Sequence, residues 1–237
     1  MPPHDLFDHP TNHGYESWYG ACSAHGYNEP MSGSDRVKPA GPGTATPSRK
    51  RDGDPVLKLT YDDFVLFPDD GKRHELIDGE HYVTPSPNTR HQQICGDLFA
   101  LIWTYLEAHP IGRAFGVPLD VVFSRFDVVE PDIQYLSNER AADVITPQHV
   151  RGAPELVVEI ASPSTRKRDE TIKRHLYERS GVSEYWVVDP DTDVVRIYRR
   201  TGDRFGRALE LSREAGDVLT TPLLPGLELP LVRIFRD

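Results

Sequence analysis

A mixed β-sheet flanked by helices, an α/β or α+β fold in one domain, is what three observations on this sequence predict. Short apolar runs bounded by turn residues, PELVVEIA and SEYWVVD among them, read as strands. Two segments, around HQQICGDLFALIWTYLEA and STRKRDETIKRHLYERSG, carry apolar residues at helical spacing. Strands and helices alternate without an internal repeat, the order expected when helices pack on a sheet.

Composition sets the limits. The chain has 237 residues, enough for one sizeable core. Residues 1–54 hold one leucine, one valine and no isoleucine against seven glycines and seven prolines. Such a segment buries too little apolar surface to offset its ordering entropy, so a disordered tail is expected there. Its irregularly spaced histidines and aromatics (His4, His9, His13, His25, Trp18, Tyr19) fit a solvated tail better than a metal site. The start, MPPHDLFDHP, lacks the basic and apolar regions of a secretory signal, and no run approaches the ~18 apolar residues of a membrane span. Only Cys22 and Cys95 occur, so neither a disulfide framework nor a cysteine zinc site is expected and a cytoplasmic location is the natural one. A formal charge of −10 argues against binding nucleic acid through the overall field. It leaves room for a local basic strip and for carboxylates gathered around a hard metal ion.

The elements follow in order from Pro55. Thr60 is a candidate N-cap ahead of Asp62 and Asp63. HELIDGEHYVTP reads as a tight hairpin about Asp78-Gly79. Asn88 caps a long helix with Ile94, Leu98, Leu101, Ile102 and Leu106 on one face, closed by Pro110 and Gly112. GRAFGVPLDVVFSRFDVVEPDIQYL reads as two strands around a turn near Arg125–Asp127. Residues 155–161 form a strand, 164–180 a helix ending at Gly181, and SEYWVVD another strand that turns at Asp191–Asp193 into VVRIYRR. Short strands and proline-rich turns complete the chain.

Three acids stand in otherwise apolar strands. Asp120 lies opposite the face of Val117, Leu119, Val121 and Phe123, and Asp132 opposite Ile133 and Tyr135. Glu159 lies opposite Leu156, Val158 and Ile160. A hairpin centred on Phe126 would place Asp120 directly across from Asp132, where two carboxylates repel unless a proton or cation intervenes. A lone strand carboxylate is usually solvent-facing; three on minority faces suit Mg²⁺ or Mn²⁺. In the following helix the expected anchors are Ile172, Leu176 and Tyr177. Lys173, at the edge of that stripe, reads either as an exposed lysine paired with Asp169 or as a cation reaching back to Glu159. Arg166, Lys167, Arg168, Arg174, His175 and Arg179 make this the densest basic stretch, either a solvated face or a strip for phosphates.

The ordered series HELIDGE, PSPNTRHQQI, VEPDI, PELVVEIASPST, DETIKRHLY and GVSEYWVVDP resembles the Uma-type family of putative restriction endonucleases, within the PD-(D/E)XK nuclease superfamily. The likeness runs from about Leu59 to Arg200. It implies a restriction-endonuclease-like core over residues 55–237 and metal-dependent hydrolysis of phosphodiesters, with Mg²⁺ or Mn²⁺ as cofactor and double-stranded DNA as partner. By this resemblance Asp132, in Pro131-Asp132, and Glu159 would bind the metal, with Asp120 a further candidate ligand. Glu75 matches an early acidic position of the catalytic set, and His91 a recurrent histidine on the substrate side. Arg166, Lys167, Arg168 and Arg174 would hold the backbone. The superfamily lysine, two residues after the acid, is replaced by Ala161; Lys173 matches the lysine this family carries on the next helix and would aid water activation. A two-fold homodimer would suit cutting both strands. The alternative expectation is a catalytically inactive nucleic-acid-binding or regulatory module of the same fold.

Overall fold

The computed structural model describes residues 57–236. The tail expected over 1–54 lies outside the described residues. The first helical turn, α1 (Tyr61–Phe64), starts as predicted at Thr60, with a capping box closed by Asp63. The hairpin β1 (Arg73–Ile77) and β2 (Glu80–Thr84) turns on Asp78 and Gly79, both at positive φ (53° and 76°), the geometry of a type I′ turn. Asn88 caps α2 (Thr89–Ala108), its side chain accepting from the His91 backbone N–H at 2.8 Å. Ile94, Leu98, Ile102 and Leu106 form the buried face of α2, and Leu101 packs at its margin.

The segment expected to make two strands makes four. They are β3 (Gly112–Gly116), β4 (Val121–Ser124), β5 (Asp127–Val129) and β6 (Ile133–Ser137), divided between two sheets. Pro118, after a cis peptide bond, separates the first pair, and Pro131, with no N–H to donate, separates the second. The turn near Arg125–Asp127 is present, but its register sets Val121 opposite Val129 and Val122 opposite Val128. Asp120 and Asp132 therefore do not face each other, because the chain leaves this hairpin at Pro131 and Asp132 begins the path into the other sheet.

One sheet is ordered β2-β1-β5-β4-β7, its last strand (Val150–Arg151) preceded by α3 (Asn138–Val144). The larger sheet runs β3, β6, β8 (Leu156–Ile160), β9 (Glu184–Asp189), β10 (Val194–Thr201) and β11 (Arg204–Phe205), with β12 (Leu209–Ser212) also on β10. β8 and β9 are parallel and their other pairings antiparallel, so the sheet is mixed. A helical run, α4, crosses between them: Arg166–Arg168, a π-helical turn Asp169–Lys173, then Arg174–Ser180, closed at Gly181 with φ 93°. β13 (Val218–Leu219), β14 (Leu229–Pro230) and a last helical turn (Leu231–Ile234) complete the described chain.

Both faces of β8 are covered, which explains its unbroken apolar run. Leu156, Val158 and Ile160 join the α2 core together with Trp186 and Ile197. Val157 and Ala161 face a second core containing Leu176, Tyr177 and Tyr185, shared with Ile77, Val121 and Val129 of the smaller sheet. That sheet's other face, Leu76, Val122 and Val128, packs on Tyr61 and Phe64 of α1. Ile172, expected as an anchor, is instead 38% exposed. The inward face of the π-turn belongs to Asp169 and Lys173, both buried, and Lys173 turns inward because the wall it meets carries the carboxylates of Glu75 and Glu159.

Candidate active site

The β6–β8 ladder pairs Ile133 with Val158, and one further step in that register sets Asp132 across from Glu159. The acid facing Asp132 is thus Glu159, from a strand distant in sequence. Glu75 arrives from the inner face of β1, on the parity of Ile77. These three acids are at most 3% exposed. Asp132 and Glu159 line a pocket together with Arg73, Thr84, Ser86, Asn88, His91, Arg168 and Lys173, and Glu75 joins it through Lys173 and Arg168.

Burying that many carboxylates is unfavourable without compensating cations and donors. Lys173 supplies one cation, its Nζ 2.7 Å from Glu75 Oε1 and 2.9 Å from Glu159 Oε1. It is 3% exposed, so it reaches back to Glu159 and is not a surface lysine held by Asp169. The Tyr177 hydroxyl donates to the same Glu159 oxygen at 2.5 Å. Arg73 donates to Asp132 Oδ1 at 2.8 Å, while Oδ2 accepts from the Ile160 N–H at 2.8 Å and lies 3.2 Å from His91 Nε2. Arg168 stands 3.4 Å from Glu75 Oε2, donates to Thr84 Oγ1 at 2.7 Å and lies over the Tyr82 ring.

The two facing acids are pushed in opposite directions. Burial alone would raise Asp132, but His91, Arg73 and the Ile160 N–H together hold it below the usual carboxylate range. Burial raises Glu159; Lys173 opposes this, and Asp132, Asp169 and Glu75 add to it. Lys173 loses from burial but is raised on balance by Glu159, Glu75 and Asp169, so it stays an ammonium.

The arrangement suits a hard divalent ion in its donor chemistry: carboxylate oxygens of Asp132 and Glu159 face each other across adjacent strands, with the Glu75 carboxylate nearby. Glu75 Oε2 is buried without a hydrogen-bond donor. No preformed cage of three or more His, Cys, Asp or Glu ligands exists among the described residues, since Arg73, Lys173 and Tyr177 occupy the inner oxygens.

Of the other expected site residues, Asp120 is not among those that line this pocket. Burial raises its pKa and His149 lowers it, and it in turn raises Glu130, which burial has already pushed up, to about 7. The basic stretch is largely neutralised from within. Arg166 binds Asp189 and Asp191 at 2.7 Å each, Arg179 binds Asp127 at 2.5 Å, and Arg174 lies over Tyr198; Lys167 is exposed. Arg168 alone of the four expected substrate-binding basic residues lines the pocket. Arg73 was not among the expected residues. Period-two reading of RHELI from Glu75 would have found it, since residues 73, 75 and 77 share a face.

The model of the Uma2 family, described as "Putative restriction endonuclease", matches residues 61–232. This chain belongs to the Uma2 family. Uma2 is a family of restriction-endonuclease type, and the fold agrees. Among solved structures that the chain resembles is a putative nuclease belonging to DUF820 from Anabaena variabilis ATCC 29413. The TM-score is 0.64 at 23% identity, over 75% of this chain and 97% of that one, a likeness of fold. No curated protein matches the chain. None of the helices among the described residues is long and apolar enough to cross a membrane.

Proposed function

We propose that this Uma2 chain is a metal-dependent endonuclease hydrolysing phosphodiester bonds in double-stranded DNA, with Mg²⁺ or Mn²⁺ as cofactor. What carries this reading is Lys173. The helix after β8 returns a lysine to 2.9 Å from Glu159, so the cation that Ala161 cannot provide is present beside the acid pair. A sequence with that lysine at the surface would favour an inactive module; the buried geometry favours catalysis.

Asp132 and Glu159 would hold the metal ion, which when bound supplies Lewis-acid activation of water and neutralises charge developing on phosphorus. The chain's own residues do the rest. Lys173 and the Tyr177 hydroxyl fix the orientation of Glu159. His91, held in place by the Asn88 cap, and Arg73 fix Asp132. Glu75 sets the position of the Lys173 ammonium, which orients the attacking water. Arg168, at the pocket wall, is the first phosphate contact; exposed Lys167, outside the pocket, would meet a flanking phosphate, while Arg166 and Arg174 are already engaged by Asp189 and Asp191 and by Tyr198.

Supercoiled plasmid incubated with the protein and Mg²⁺ or Mn²⁺ should be nicked and linearised, and Asp132→Asn should slow this by about 100-fold or more. Cleavage that persists in EDTA, or that ignores the substitution, would overturn the assignment.

A further inference from the structure

We infer that Asp169 is the proton acceptor of the reaction, a catalytic carboxylate that takes a proton from the water oriented by Lys173. This deepens the nuclease reading and rests on it. Water attacking phosphorus has to lose a proton, and the group that takes it must stand within hydrogen-bond reach. Among the described residues the acids lining the pocket are Asp132, Glu159 and Asp169. Asp132 accepts from Arg73 at Oδ1 and from the Ile160 N–H at Oδ2, and Glu159 Oε1 accepts from Lys173 and Tyr177. These two are the proposed metal ligands. Lys173, which stays an ammonium, can hold a water without taking its proton.

Asp169 is placed differently. It is 2% exposed, yet its Oδ1 meets no hydrogen-bond donor among the described residues. A buried carboxylate oxygen in that condition costs free energy until a donor reaches it, so its presence asks for a function. Asp169 and Lys173 are the buried residues of the π-turn in α4, a distortion that recurs at functional sites, and both line the pocket. His91, the other group there able to take a proton, lies at the Asp132 end, its Nε2 turned to that carboxylate.

The Lys173 ammonium has three N–H groups, of which Glu75 and Glu159 take two. A water accepting from the third keeps both its own hydrogens to donate, and Asp169 Oδ1 is the open acceptor one helical turn away on the same wall. In the step, one O–H bond of that water breaks as its oxygen bonds phosphorus, and the proton passes to Asp169. The bond from phosphorus to the leaving ester oxygen breaks, and that oxygen takes a proton from solvent. Asp169 then returns its own proton to solvent through the pocket. Facing Asp169 are Lys173, Arg168 and Thr165 from its own helix and its start, Glu75 from β1, Glu159 from β8 and Tyr185 from β9. Burial raises its carboxyl against the pull of Lys173, Thr165 and Arg168, which suits a group that must take a proton and release it.

Single-turnover cleavage of a labelled duplex, prebound to the full-length protein and started with Mg²⁺, isolates the chemical step. Asp169→Asn, nearly the same size, should slow it by about 100-fold or more. Duplex affinity measured by fluorescence anisotropy without divalent ion should stay at the wild-type value, and circular dichroism should report an unchanged fold. Asp169→Ala opens room for a small external carboxylate, so sodium formate should restore its cleavage by about tenfold or more and leave Asp169→Asn slow. A wild type that cuts while Asp169→Asn cuts equally fast would overturn the inference and leave the nuclease reading standing. So would an Asp169→Asn protein that loses duplex affinity along with rate, or an Asp169→Ala protein that formate does not revive, since a carboxylate with a structural role alone behaves so. A wild type that cuts no duplex with any divalent ion would remove the reading and the inference together.

Discussion

At the scale of single residues, burial and charge decide what each acid does. Lys173 is shared by Glu75 and Glu159, so removing it leaves two buried carboxylates without their cation. Lys173→Met should destabilise by about 3–5 kcal/mol, and adding Glu75→Gln should recover part of that loss. Urea unfolding of the three proteins measures it; additive losses would mean the ammonium and Glu75 are not coupled. Asp120 behaves differently. Burial raises its pKa, so the native state holds that proton more tightly than the unfolded chain. Its ionised form therefore costs stability once the pH climbs past the raised native value, and costs nothing below the unfolded one. Asp120→Asn should raise Tm by about 1–3 °C at pH 8 and leave it unchanged near pH 3. Because Asp120 does not line the pocket that holds Asp132 and Glu159, plasmid cleavage should persist in this variant. The minority-face argument picked out all three strand acids from sequence. It could not say which two would meet, since that depends on a register between strands far apart in the chain.

At the scale of elements, local chemistry was readable wherever the turn or cap is made by neighbouring residues. Thr60, Asp78-Gly79 and Asn88 act as their residue types demand, because each satisfies backbone groups within a few positions. Gly79→Ala tests one of them. Its φ is 76°, and an added Cβ would sit 2.6 Å from the Lys58 Cβ, so both backbone and contact are violated. A loss of about 1–3 kcal/mol is expected, measured by thermal or urea unfolding. Asn88→Ala should cost about 1 kcal/mol. It should also lower cleavage more than that loss implies, since the same cap sets the first turn that carries His91 toward Asp132. What could not be read was long-range. Four strands where two were expected follow from two prolines that send the chain from one sheet to another. The π-turn of α4 is invisible to a fixed 3.6-residue period, which is why Ile172 was given the inward place that Lys173 holds.

At the scale of the molecule, the net charge of −10 and the internal pairing of arginines fix how DNA could be held. Among the described residues Arg166, Arg179, Arg196 and Arg199 each bind a carboxylate of the same chain. Releasing them to phosphates would exchange one ion pair for another and strand an acid, so they add little to affinity. Besides Lys173, held between Glu75 and Glu159, the cations lining the pocket are Arg73, beside Asp132, and Arg168, beside Glu75, with exposed Lys167 outside it. Two or three phosphate contacts then imply a log K against log salt slope of about −2 to −3, far shallower than a basic DNA-binding protein gives. Fluorescence anisotropy on a labelled duplex, with Asp132→Asn protein and salt varied from 50 to 200 mM as roughly the useful range, measures this slope. A slope steeper than about −6 would mean that a basic surface beyond Arg73, Arg168 and Lys167 carries the contact, and the internal neutralisation of the α4 arginines would have to be abandoned as the reason they lie outside the pocket. A slope near −2 would place the binding energy at the pocket itself, where Arg168→Ala should then weaken the duplex by about tenfold.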